Sequence, residues 1–178
     1  WRDWSSDVCS SDLPNTKNLR KLQHGDELHQ MLQQLKSAQT SLATSHRKYV
    51  PLVLKIAPDL SYEEIVEIAH ICITNQMDGI IATNTTLSRV GVESLQQGQE
   101  AGGLSGAPLT ERATEVVQLL TETLQGKIPV IASGGVMTVA DVQAKFTAGA
   151  SLVQIYTGLV YHGHQLVHQA VQAAAKLS

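Results

Sequence analysis

Ile128-Pro129-Val130-Ile131-Ala132-Ser133-Gly134-Gly135 is the stretch on which the fold turns: an apolar run of strand length that stops at a hydroxyl and two glycines. The same grammar recurs on either side. Ile80-Ile81-Ala82 runs into Thr83-Asn84-Thr85, and Ser151-Leu152-Val153-Gln154-Ile155 runs into Tyr156-Thr157. Val50-Pro51-Leu52-Val53-Leu54-Lys55-Ile56 carries a lysine near its end. These runs are continuously apolar and do not alternate, as strands do when a parallel sheet is covered on both faces.

Helical patterns separate the runs. A first helix is expected after Asp26 as N-cap, with Leu28, Met31, Leu32, Leu35 and Ala38 at helical spacing. Ser61 and Glu64 form a capping box ahead of the stripe Ile65, Ile68, Ala69 and Cys72. A third helix carries Ala113, Val116, Val117, Leu120 and Leu124, with Gly126 at the C′ position. Thr138 and Asp141 cap a short helix using Val142 and Phe146, and a final helix uses Leu166, Ala170, Ala173 and Leu177.

Four β-then-α units with right-handed crossovers leave two choices, a doubly wound sheet or a barrel. Polar residues close all four strands. A barrel gathers every strand end around one site, whereas a doubly wound sheet concentrates them at one switch point. The expectation is therefore α/β: the C-terminal half, the last four β/α units, of a TIM (β/α)8 barrel. A whole barrel takes eight strands and about 250 residues. Either a partner supplies the other half or the chain is truncated.

With 178 residues, 43% of them hydrophobic and 16% charged, the chain is of globular composition. Its formal net charge of -3 gives no electrostatic footprint for nucleic acid or for a polybasic membrane contact. Cys9 and Cys72 have no metal spacing, and the histidines are scattered, His162 and His164 among them, so no metal site is expected. Residues 1–13, WRDWSSDVCSSDL, show neither period nor alternation. They read as a disordered leader or, preferentially, as non-native sequence joined to a truncated gene. Residues 14–178 are read as the partial barrel domain.

Each polar motif has a plain alternative. Gly134-Gly135 and Tyr156-Thr157 have the layout of a barrel phosphate site; otherwise they are turn glycines and a core tyrosine. Lys55 at a barrel mouth calls for an anion or polarised ligand; otherwise it snorkels. Thr83 to Thr86 offer hydrogen bonds to a planar, amide-rich ligand, or cap a turn. Gly102-Gly103-Leu104-Ser105-Gly106 permits close backbone approach, or is a flexible surface loop.

Taken together, the segments resemble the dihydroorotate dehydrogenases. The matching stretches are Pro14-Asn15-Thr16 with Leu19-Arg20, KIAPDL from Lys55, ATNTT ending at Thr86, GGLSG ending at Gly106, SGG ending at Gly135, and GASLVQIYTGLVYHG from Gly149. ATNTT and YTGLVYHG look like the quinone-linked class 2 enzymes. The resemblance implies FMN as hydride acceptor, dihydroorotate as substrate, orotate as product and a respiratory quinone as electron acceptor, in de novo pyrimidine synthesis. It places Lys55, Thr83, Gly106, Gly135, Tyr156 and Thr157 on FMN, and Asn15, Asn84 and Thr85 on the pyrimidine. It also implies a peripheral, membrane-associated parent on the cytoplasmic side of the inner membrane.

One position departs from that pattern. The quinone-linked class has a serine, the catalytic base, immediately before Pro-Asn-Thr, and here that residue is Leu13. Leucine accepts no proton, so the chain alone is expected to be inactive, and soluble or aggregating. The competing readings are a non-catalytic half-barrel binding module and another FMN- or phosphate-binding barrel reductase acting on nucleobases.

Overall fold

The computed structural model describes residues 25–176. Helices and strands alternate along it. They are α1 (Gly25–His46), β1 (Val53–Ile56), α2 (Tyr62–Thr74), β2 (Gly79–Ala82), α3 (Thr110–Leu124), β3 (Val130–Ser133), α4 (Val139–Thr147), β4 (Leu152–Gln154) and α5 (Thr157–Ala174). Two short 3-10 turns, Gln96–Gln99 and Ala107–Leu109, punctuate the connection from β2 to α3.

The strands form one parallel sheet in the order β1-β2-β3-β4, with Val53 opposite Gly79, Ile80 opposite Val130 and Ile131 opposite Leu152. Spatial order follows chain order without reversal. A doubly wound sheet must reverse at its switch point, so this arrangement is half of a barrel wall.

The strands are shorter than their apolar runs. Pro129 has no N–H for the ladder, so β3 begins at Val130, while the Pro129 carbonyl still accepts from the Ile80 N–H at 3.1 Å. Pro51 likewise falls outside β1. Burial on both faces holds for the inner strands but not for β4, whose residues are exposed or half-buried, with Leu152 60% exposed. This corrects the sequence expectation. β4 is an edge with no neighbour on its outer side among the described residues.

The helices follow their stripes closely. Ile65, Ile68, Ala69 and Cys72 of α2 are fully buried, as are Ala113, Val116, Val117, Leu120 and Leu124 of α3. Ser61 and Glu64 make both bonds of the capping box, and so do Thr138 and Asp141. Gln125 and Gly126 close α3 with positive φ angles of 49° and 77°. Three details differ. Asp26 lies in the first turn of α1 and not at its cap. In α1 Leu28, Leu32 and Gln39 are buried, while Leu35 and Ala38 are exposed. In α4 the fully buried partner of Val142 is Lys145, and Phe146 is only half-buried.

Asp78 ties the N-terminal end of β2 to the preceding elements. Its carboxylate accepts from the Leu52 N–H (2.7 Å), Tyr49 hydroxyl (2.5 Å), Gln39 amide (3.0 Å) and Lys36 ammonium (3.4 Å). Burial pushes this carboxyl up, but those four donors outweigh it and hold the pKa at about 2. The cluster lies at the barrel end opposite the strand C-termini, where side chains serve stability.

Candidate functional site

At the C-terminal ends of the strands a cavity of about 690 Å³ opens. Each strand contributes where its apolar run gives out: Lys55 from β1, Thr83-Asn84-Thr85 after β2, Ser133-Gly134-Gly135 at the end of β3, and Gln154 to Thr157 at the end of β4. Ser105 and Gly106 reach in from the long loop. Every FMN contact expected from the sequence therefore lines one cavity, as do Asn84 and Thr85. Asn15, Leu13 and the leader lie outside the described residues.

Backbone and side-chain bonds fix the polar rim. Thr83 is buried; its N–H donates to the Ser133 carbonyl (2.6 Å) and its hydroxyl to the Asn84 carbonyl (2.9 Å). The Ala82–Thr83 peptide is cis. Asn84 donates its N–H to the Ile56 carbonyl (2.8 Å), and its Oδ1 accepts from the Thr85 N–H (2.8 Å). The Asn84 side-chain NH2 remains without a partner among the described residues, and so does the half-buried Lys55 ammonium. Those two groups and the Thr85 hydroxyl form a donor-rich patch on one wall.

Asp59 anchors the chain just past this patch. Its carboxylate accepts from the Thr86 hydroxyl and from the Leu87 N–H (3.0 Å). Arg112 of α3 brackets it by donating to the Pro58 (2.9 Å) and Leu60 (2.7 Å) carbonyls. The long loop is likewise tied down. Arg89 donates to the Glu100 (2.8 Å) and Gly102 (2.7 Å) carbonyls, and Thr86 pairs with Leu104. These bonds hold the loop against the end of β2.

Opposite lies the glycine end. Gly135 has φ 70°, and a Cβ there would sit 2.2 Å from Thr110 Cα, so only glycine lets the start of α3 close on this loop. Thr110 Oγ1 donates to the Gly135 carbonyl at 2.7 Å. Gly158 acts similarly across the site, since a Cβ there would meet the Val136 carbonyl at 2.2 Å. That contact presses the first turn of α5 onto the β3–α4 loop; the sequence signal was the Gly after Tyr156-Thr157. Thr157 Oγ1 also bonds Ser105 Oγ (3.0 Å), and Gly106, at φ 84°, packs against the Thr157 side chain. Tyr156 does not fill a core: its side chain is 83% exposed at the cavity rim. Among the described residues no side chain caps the α5 N-terminus, which begins at the cavity-lining Tyr156 and Thr157.

A half-barrel whose strand ends enclose a donor-rich, glycine-lined cavity defines an α/β barrel protein with its ligand site on the C-terminal face. Comparison with known proteins narrows this. Residues 9–177 match the family model of dihydroorotate dehydrogenase. Curated relatives named dihydroorotate dehydrogenase (quinone) include those of Shewanella oneidensis, 54% identical over 160 residues, and Idiomarina loihiensis, 55% identical over 158. These alignments cover 90% and 89% of this chain and 47% of each relative. A crystal structure of DHODH from Eimeria tenella in complex with ferulenol superposes with a TM-score of 0.84 at 33% identity, covering 92% of this chain and 47% of that one. The chain belongs to the dihydroorotate dehydrogenase family, and it spans about half the length of the relatives it matches.

Proposed function

We propose that this chain is the cofactor- and pyrimidine-holding half of a quinone-linked dihydroorotate dehydrogenase, whose full-length form oxidises dihydroorotate to orotate in de novo pyrimidine synthesis. One observation carries the reading. Eight residues chosen from the sequence, Lys55, Thr83, Asn84, Thr85, Gly106, Gly135, Tyr156 and Thr157, line a single cavity.

The residues fit FMN: the cavity has a cation and amide donors at one end and a glycine loop facing an uncapped helix start at the other. When bound, FMN supplies the hydride acceptor and passes electrons on to quinone. The chain's own groups bind and orient. Lys55 places a positive charge, unpartnered among the described residues, where negative charge develops during the reaction. Thr83 borders the ring, and Asn84 and Thr85 present donors and acceptors to the pyrimidine, joined by Asn15. Gly106 and Gly135 admit the cofactor close to the backbone. The N–H groups at Tyr156 and Thr157 receive its phosphate, which the helix dipole favours.

Leu13 stands where the base belongs, so the proton at C5 of the substrate needs a group that this sequence does not offer there. The isolated chain then turns over no substrate and retains FMN weakly. The parent docks peripherally at the cytoplasmic face of the inner membrane; no helix among the described residues is long and apolar enough to cross one.

The test is a fusion placing residues 14–178 behind the first half of the Shewanella oneidensis relative. Dihydroorotate-dependent dye reduction by the fusion, and none above blank by the 178-residue chain, is the expected pair of results. Lys55→Ala in the fusion lowers kcat/KM by about a hundredfold, the scale of one lost electrostatic stabiliser. Turnover by the chain alone, or full activity in a folded Lys55→Ala fusion, contradicts the proposal.

A further inference from the structure

We propose that Lys145, buried outside the cavity, is a positioning residue for the phosphate end of the site, acting through Thr110 on the Gly134-Gly135 loop. The inference rests on the FMN reading above and adds a residue to it.

Lys145 lies on α4 with no solvent exposure. Its ammonium donates to Thr114 Oγ1 at 2.7 Å and to the Thr110 carbonyl at 3.2 Å. Thr114 Oγ1 in turn donates to the same Thr110 carbonyl at 2.7 Å. Two donors, linked to each other, thus converge on the Thr110 carbonyl at the start of α3. From there the chain of bonds goes on to the site, because Thr110 Oγ1 donates to the Gly135 carbonyl at 2.7 Å and Gly135 packs directly on Thr110 Cα. Gly135 lines the cavity.

The energetics make the lysine conspicuous. A buried ammonium carries a desolvation cost, and an apolar side chain of similar length would fill the space without it. Among the described residues both hydrogen-bond acceptors of Lys145 are neutral, and no carboxylate bonds to it. The Asp141 carboxylate, one turn earlier on α4, acts on it only through space. What the ammonium provides is a fixed distance between α4 and the start of α3, two elements that flank the glycine loop. A loop that receives a phosphate through backbone N–H groups works only if those groups are held in register.

The test compares FMN with riboflavin, which lacks the phosphate, in the fusion carrying residues 14–178. In Lys145→Met the dissociation constant for FMN rises about tenfold or more, the scale of a lost charge-assisted hydrogen bond. Riboflavin affinity stays within about twofold, because the ring end is untouched. Lys145→Arg recovers part of the preference, and Thr110→Val, which cuts the next link, reproduces the phosphate-selective loss. A folded Lys145→Met that keeps the original FMN preference overturns the proposal. Equal loss of both flavins does too, since that marks a merely structural role. Should Lys145→Met fail to fold, Thr110→Val decides, an unchanged preference sinking the idea. If the unmutated fusion does not prefer FMN over riboflavin, the FMN reading itself falls, before any variant is made.

Discussion

Single residues here are governed by what burial does to a titratable group. Cys72 is fully buried on α2, and burial alone pushes its thiol up to about 12. It should stay protonated and unreactive to thiol reagents until unfolding, with labelling that tracks the circular-dichroism melt. Asp78 behaves oppositely, held at about 2 by its donors against an ordinary 3.8. A depressed carboxyl contributes stability that is complete above about pH 4 and is lost as pH falls from 4 towards 2. Asp78→Asn is expected to cost about 1–3 kcal/mol at pH 7 and to flatten that acid limb in urea titrations. Lys145 is lowered by burial to about 8, with Asp141 pulling the other way. Its charged form is therefore penalised on folding, so wild type gains stability relative to Lys145→Met as pH rises from about 8 towards 10.5. The sequence showed Lys55, Thr83 and Asn84 because a polar residue ending an apolar run is visible in one dimension. Lys145 and Asp59 were not visible. Lys145 occupies a helix position where a basic last-turn residue is ordinary, and the Asp59 partner Thr86 is 27 positions away.

At the scale of elements, local chemistry set the helices and prolines trimmed the strands. Both capping boxes form because hydroxyl and carboxylate stand three residues apart, a pattern the sequence displays directly. The burial of β4 was not readable in the same way, since an apolar strand looks alike whether or not it has a neighbour. The contact between the β3–α4 loop and α5 was equally hidden, because it depends on the missing Cβ of Gly158 meeting Val136 in space. Gly158→Ala should push α5 away from that loop and cut the FMN affinity of the fusion, while riboflavin affinity changes little. Equal loss of both flavins would instead mark Gly158 as a packing residue only.

For the molecule as a whole, strand order decides. Four parallel strands in chain order leave β1 and β4 as edges among the described residues, and β4 adjoins an apolar groove lined by Val142, Phe146, Leu152, Val167 and Val171. Leu152 and Val171 are more than half exposed. An uncovered parallel edge beside such a groove favours self-association. The 178-residue chain alone should sediment as aggregates, and Leu152→Lys should shift it towards monomer. The claim to which all scales lead is that these strand ends hold FMN once the barrel is whole. Its most direct measurement is flavin stoichiometry of the purified fusion after gel filtration. One FMN per chain, lost in a folded Gly135→Val fusion, is the predicted result. A folded, monomeric fusion that emerges colourless and takes up no added FMN would contradict it.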